Sequence, residues 1–185
     1  MKNLRTLGSA STLSCTALVG LLATMLGGCA SSATPAARSA ADREASVERT
    51  VCTGNDDEDA LAPVLRGESV QNVEPLYREV DGSAQPQVRG VTIAVRARLG
   101  TTAESLGRAL QCHSARAMLG DVRAAGDDPF FLPASFVTID ARPAGYGYDV
   151  EIAGTSSDEG YRILTRANAF AKQVVRAKQE LTASR

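Results

Sequence analysis

The chain has one histidine, no tryptophan, and only four tyrosines and four phenylalanines among its 185 residues. A single imidazole excludes, from one chain, every zinc site that needs two or three histidines. It also leaves no histidine after Gly154-Thr-Ser-Ser-Asp-Glu-Gly160 to activate a serine, and the spacing there is not that of a nucleophile elbow. Excess positive charge is lacking too, since 20 Lys and Arg stand against 21 Asp and Glu. Without a clustered basic footprint, nucleic acid is not an expected partner. No apolar run reaches the roughly 20 residues that a membrane-spanning helix needs.

Charge is also missing from a long stretch near the start. Lys2 and Arg5 are followed by no charged side chain until Arg38, and the most apolar segment, Thr16 to Leu26, gives way to small residues. That is the pattern of a signal peptide. Leu26-Gly27-Gly28-Cys29 resembles the lipobox of bacterial lipoproteins, in which the cysteine sulfur receives a diacylglycerol and becomes the new N-terminus. The resemblance implies that residues 1–28 are removed, that Cys29 is lipidated, and that two or three acyl chains hold it in the bilayer. Each buried methylene contributes about 0.8 kcal/mol and stable anchoring takes more than one chain. Ala30 stands where an aspartate would imply inner-membrane retention, so the resemblance points to the outer membrane, with the domain facing the periplasm.

Cys15 falls within the signal peptide and Cys29 within the lipobox, which leaves Cys52 and Cys112 for the exported domain. An oxidising compartment favours a disulfide between them. It would close a loop of about 60 residues, for which the chain-entropy model gives roughly 4 kcal/mol. The alternative is a pair of thiolates that handles metal together with His113, the next residue after Cys112. Adjacent helical residues diverge by roughly 100°, which opposes convergence of Cys112 and His113 on one ion. On the stripe of its helix, His113 also reads as an imidazole satisfied in or near the core.

Residues 29–50 are small and polar, with no large apolar side chain between Cys29 and Val47, and are expected to form a flexible lipid-anchored tether. Residues 51–185 are expected to be one domain. Val70, Val73, Leu76 and Val80 fit either a broken helix or an edge strand. Val91, Ile93, Val95 and Ala97 alternate with polar or small residues, as a half-buried strand requires. Thr101-Thr-Ala-Glu104 has capping-box spacing and predicts a helix from Thr102 to about Leu119, stopped by Gly120. Ala103, Leu106, Leu110, His113 and Ala117 form its stripe.

Phe136 to Asp140 and Tyr148 to Ile152 read as an antiparallel hairpin across a turn at Arg142 to Gly147. Ser156-Ser-Asp-Glu159 repeats the capping-box spacing ahead of a last helix with the stripe Ile163, Ala167, Phe170, Val174, Ala177 and Leu181. The order β-α-β-β-α predicts an α+β domain: a small, mostly antiparallel sheet of three or four strands with two main helices on one face. From Thr102 onward the α-β-β-α order is loosely similar to the BON domains of exported bacterial proteins.

Motifs for chemistry are sparse, and no cofactor is expected. Gly145-Tyr-Gly147 leads into a strand and so presents no helix N-terminus to a phosphate. The segment Ile152 to Gly160, followed by Leu164-Thr-Arg-Ala167, resembles the peptidoglycan-binding loop and helix of OmpA-like domains. That resemblance implies ligand contact through Asp158 and Arg166. The basic side chains Arg162, Arg166, Lys172, Arg176 and Lys178 read as a solvated helix face, with a basic surface that meets anionic envelope lipid as the alternative. The function expected is a membrane-anchored, non-catalytic binding or structural module of the envelope, with an envelope protein or the cell wall as partner. The alternatives are thiol or metal handling through Cys52, Cys112 and His113, and a peptidoglycan-contacting module.

Overall fold

The structure is a computed structural model that describes residues 35–52, 58–79, 82–96 and 98–183. The expected signal peptide, residues 1–28, and Cys29 lie outside the described residues. The centre of the fold is the alternating strand read in the sequence, β2 (Gln87–Arg96), whose Val91, Ile93 and Val95 are buried. It pairs antiparallel with β1 (Val70–Arg78) on one side and β4 (Gly147–Ala153) on the other. The second edge is β3 (Thr138–Ala144), which gives a four-stranded antiparallel sheet of order β1-β2-β4-β3. The α+β class and the antiparallel sheet are therefore as expected.

Two helices cover one face of that sheet. The first, α3 (Ala103–Leu119), links β2 to β3 and contributes Leu106 and Leu110 to the core. The second, α4 (Ser157–Ala183), follows β4 and contributes Ile163 and Ala167. Phe170 of α4 meets Phe130 edge to face, with ring centroids 6.3 Å apart. The side chains of Val174, Ala177 and Leu181 lie outside those described. A short helix, α2 (Glu58–Leu65), adds Leu61 and Val64.

Both helix starts use reciprocal caps, one of them a residue later than expected. Thr102 caps α3, and its partner is the hydroxyl of Ser105 in place of the Glu104 carboxylate. At α4 the Ser156 hydroxyl accepts from the Glu159 N–H while the Glu159 carboxylate accepts from the Ser156 N–H. Gly120 ends α3 in the left-handed region, φ 87°.

Three details go beyond or against the sequence reading. The segment left open between a broken helix and an edge strand is the edge strand β1, with Val70, Val73 and Leu76 half-buried and register shifts between Val70 and Asn72 and between Leu76 and Tyr77. Such bulges reset the alternation, and the edge position tolerates Pro75. In the hairpin, β3 extends through Arg142, Pro143 and Ala144, so the turn is only Gly145-Tyr146, with Gly145 at φ 54°.

The third difference is the largest. Residues 35–50, expected within a flexible tether, form the helix α1 (Pro35–Thr50), which packs on α3. Few apolar side chains are needed, because alanine favours helix. The contact is made by the small Ala40 and by Glu44, both buried, and the chain just beyond is tied to α3 through Cys52.

Candidate functional site

Four consecutive residues of α3 each hold a different segment. Gln111 bonds the start of β3 with both ends of its amide, donating to the Val137 carbonyl at 3.0 Å and accepting from the Ile139 N–H at 2.8 Å. Cys112 forms a disulfide with Cys52, with the Cα atoms 5.5 Å apart. His113 Nε2 lies 2.7 Å from Asp128 Oδ2. Ser114 donates to Glu44 Oε1 of α1 at 3.2 Å. Successive helical side chains point roughly 100° apart, so one turn of α3 reaches in four directions.

That divergence decides what the sequence-predicted residues can do together. Cys52 and Cys112 are bonded to each other, whereas His113 faces away toward Asp128. The set Cys52, Cys112 and His113 does not converge, and among the described residues no three His, Cys, Asp or Glu side chains are grouped to hold a metal ion.

The His113 contact organises the loop before β3. Asp128 is buried, and its second carboxylate oxygen accepts the Phe130 N–H at 2.9 Å. From the other side Arg166 of α4 donates through Nε to the Asp128 carbonyl at 2.9 Å and through Nη2 to the Ala125 carbonyl at 3.3 Å. The loop is thus clamped between α3 and α4. Partial burial holds the Arg166 guanidinium below its ordinary pKa; Asp128 and Asp127 oppose that shift, and the like charge of Arg162 adds to it.

The clamp leaves an open groove of about 360 Å³ beside it, lined by Leu132, Pro133, Tyr161, Arg162, Thr165 and Arg166. Arg162 donates to the Pro133 carbonyl at 3.4 Å, and the Thr165 hydroxyl donates back to the Tyr161 carbonyl at 2.8 Å. Tyr161 is 57% exposed, so its ring forms an accessible wall. Asp158 lies in the first turn of α4, exposed. Eight residues separate it from Arg166, about 12 Å along a helix axis, and it does not line the groove.

No family model, curated protein or solved structure matches this chain. The groove therefore stands on its own chemistry. Sequence reading missed it because Arg162 and Arg166 fit a solvated face. The available signal was the coincidence of two (i, i+4) pairs, Arg162 with Arg166 and Tyr161 with Thr165, on adjoining stripes.

A smaller hollow of about 190 Å³ lies between α1 and the start of α4, where Ser39, Ala40 and Arg43 face Ser135, Phe136 and Glu159. Arg43 stacks over Phe136, 5.7 Å from the ring centroid. Burial raises the Glu159 pKa, but hydrogen bonds from Thr155, Ser135 and the Ser156 amide outweigh it and hold the carboxyl below its ordinary value. Glu159 is occupied as a helix cap.

Proposed function

We propose that the protein is a lipoprotein of the bacterial envelope, anchored through Cys29 to the outer membrane, whose domain is a non-catalytic binding module facing the periplasm. The groove against α4 is its mouth. The observation that carries the reading is this open, part apolar and part cationic hollow. The chemically versatile side chains of α3, by contrast, are spent on internal bonds: the sole histidine on Asp128, both cysteines of the domain on each other. Pockets of this size and mixed lining suit binding. The anchor rests on the lipobox-like Leu26-Gly27-Gly28-Cys29 and the uncharged segment before it. No described helix is long and apolar enough to cross a membrane, so attachment by acyl chains would be complementary to this domain.

The same bonds weigh against thiol or metal handling through Cys52, Cys112 and His113. Of the pair implied by the OmpA-like resemblance, Arg166 lines the groove and Asp158 does not, which weakens the peptidoglycan alternative.

Two measurements test the proposal. The intact mass of protein extracted from envelopes should carry diacylglycerol on Cys29 and lose it in Cys29→Ser; an unmodified Cys29 would remove the anchor. Sedimentation of residues 30–185, which lack the acyl anchor, with isolated envelope fractions should retain the protein with an intact groove and release its Tyr161→Ala variant. Equal retention of both would deny the groove its role.

A further inference from the structure

We infer that the groove takes a small amphipathic anion, with its carboxylate or phosphate at Arg162 and Arg166 and its apolar part against Leu132, Pro133 and Tyr161. This deepens the binding-module reading and rests on it.

The cationic end is fixed in place before any ligand arrives. Arg166 is pinned by two loop carbonyls and Arg162 by one, and Arg162 follows one helical turn ahead of Arg166 on the same helix. Backbone carbonyls orient a guanidinium without neutralising it. Each guanidinium has five N–H donors, and the contacts with the carbonyls use only two from Arg166 and one from Arg162. Among the described residues neither is ion-paired with a carboxylate. Asp128 and Asp127 attract the Arg166 guanidinium without pairing with it; Asp128 meets it through its carbonyl oxygen and turns its carboxylate to His113 and the Phe130 amide. An anion between the two arginines would relieve their mutual repulsion and form charge-assisted hydrogen bonds in the geometry that guanidinium favours.

The rest of the lining asks for carbon. Pro133 and the exposed ring of Tyr161 supply apolar surface over the buried Leu132, while the Thr165 hydroxyl is already committed to its own helix. A volume of about 360 Å³ admits a headgroup with a short chain or a ring, not a folded partner.

The test uses the full-length protein in lipid nanodiscs and calorimetric titration with octanoate, octyl phosphate, octanol and acetate. Titrating Arg162→Gln in identical discs cancels partitioning into the bilayer. Saturable one-site binding of octanoate or octyl phosphate is expected, with affinity reduced about tenfold or more in Arg162→Gln, the loss due to a hydrogen bond with a charged group. Which of the two binds more tightly identifies carboxylate or phosphate as the headgroup. Octanol binding as well as octanoate would overturn the anionic end, and acetate binding as well as octanoate would overturn the apolar wall. No difference between wild type and Arg162→Gln would overturn the site, provided both melt at the same temperature. If that variant is destabilised, Tyr161→Ala provides the same comparison. Envelope retention that persists while every probe fails would reject the ligand class and leave the binding-module reading standing.

Discussion

Glu44 of α1 is fully buried against α3, one carboxylate oxygen 3.2 Å from the Ser114 hydroxyl and the other without a hydrogen-bond partner. Burial pushes its pKa from 4.5 up to about 7, and the Ser114 hydroxyl only partly offsets this. A carboxyl whose folded pKa is raised contributes stability in its protonated form. That contribution is complete below the unfolded value and is lost as pH climbs through about 7. The domain should therefore be less stable at pH 8 than at pH 5, by up to about 3 kcal/mol from this group. Glu44→Gln should flatten that dependence and be the more stable form at pH 8. Urea unfolding of both proteins at the two pH values checks it; parallel losses would mean that another group carries the pH dependence.

Reduction of the Cys52–Cys112 bond, which spans 60 residues of sequence, should destabilise the domain. The chain-entropy model puts the loss at about 4 kcal/mol. Thermal melts with and without reductant, set beside a Cys52→Ala/Cys112→Ala double variant, should show the same downward shift for reduced and substituted protein.

His113 and Asp128 should couple. Removing either leaves the other largely shielded from water and short of a partner, a cost of about 2 kcal/mol, and Asp128→Ala should cost more than His113→Ala because it also strips the Phe130 amide. In a double-mutant cycle the two losses should fall short of additive. Strict additivity would mean that the 2.7 Å contact contributes nothing.

Gly160→Ala should destabilise the fold although alanine is the better helix former by about 1 kcal/mol. A methyl group there would come within 2.6 Å of the Arg89 carbonyl carbon and 2.7 Å of the Val88 oxygen, both backbone atoms of β2. Forcing α4 off the sheet should cost about 2 kcal/mol net, visible as a lowered urea midpoint.

Legibility along the chain followed how local the stabilising pattern was. The elements β2, α3 and the start of α4 depend on alternation, a helical stripe and caps a few residues apart, and all three could be read. In β1, the spacing of Val70, Val73 and Leu76 left a broken helix and an edge strand both open, and only the pairing with β2 decided between them. Nothing local in α1 marks it for docking. Its helix is seated by Ser114 and by a disulfide whose second sulfur is 60 residues away. The groove lay hidden for a related reason. Arg162 and Arg166 owe their positions to carbonyls of residues 125–133, and a helical wheel shows only that they are charged.

The placing of the disulfide just after α1 also decides how the molecule would bear tension. A pull on the N-terminal end of α1 would first peel the 16-residue helix from its seat, breaking the Glu44–Ser114 contact in passing, and would then halt at Cys52. Helix of that length spans about 24 Å, and drawn out straight it reaches about 55 Å. Beyond that point the load enters α3 at Cys112, between the residues that grip β3 and the Asp128 loop. The segment would behave as an extensible leash with a covalent stop, lengthening under strain while the groove keeps its shape.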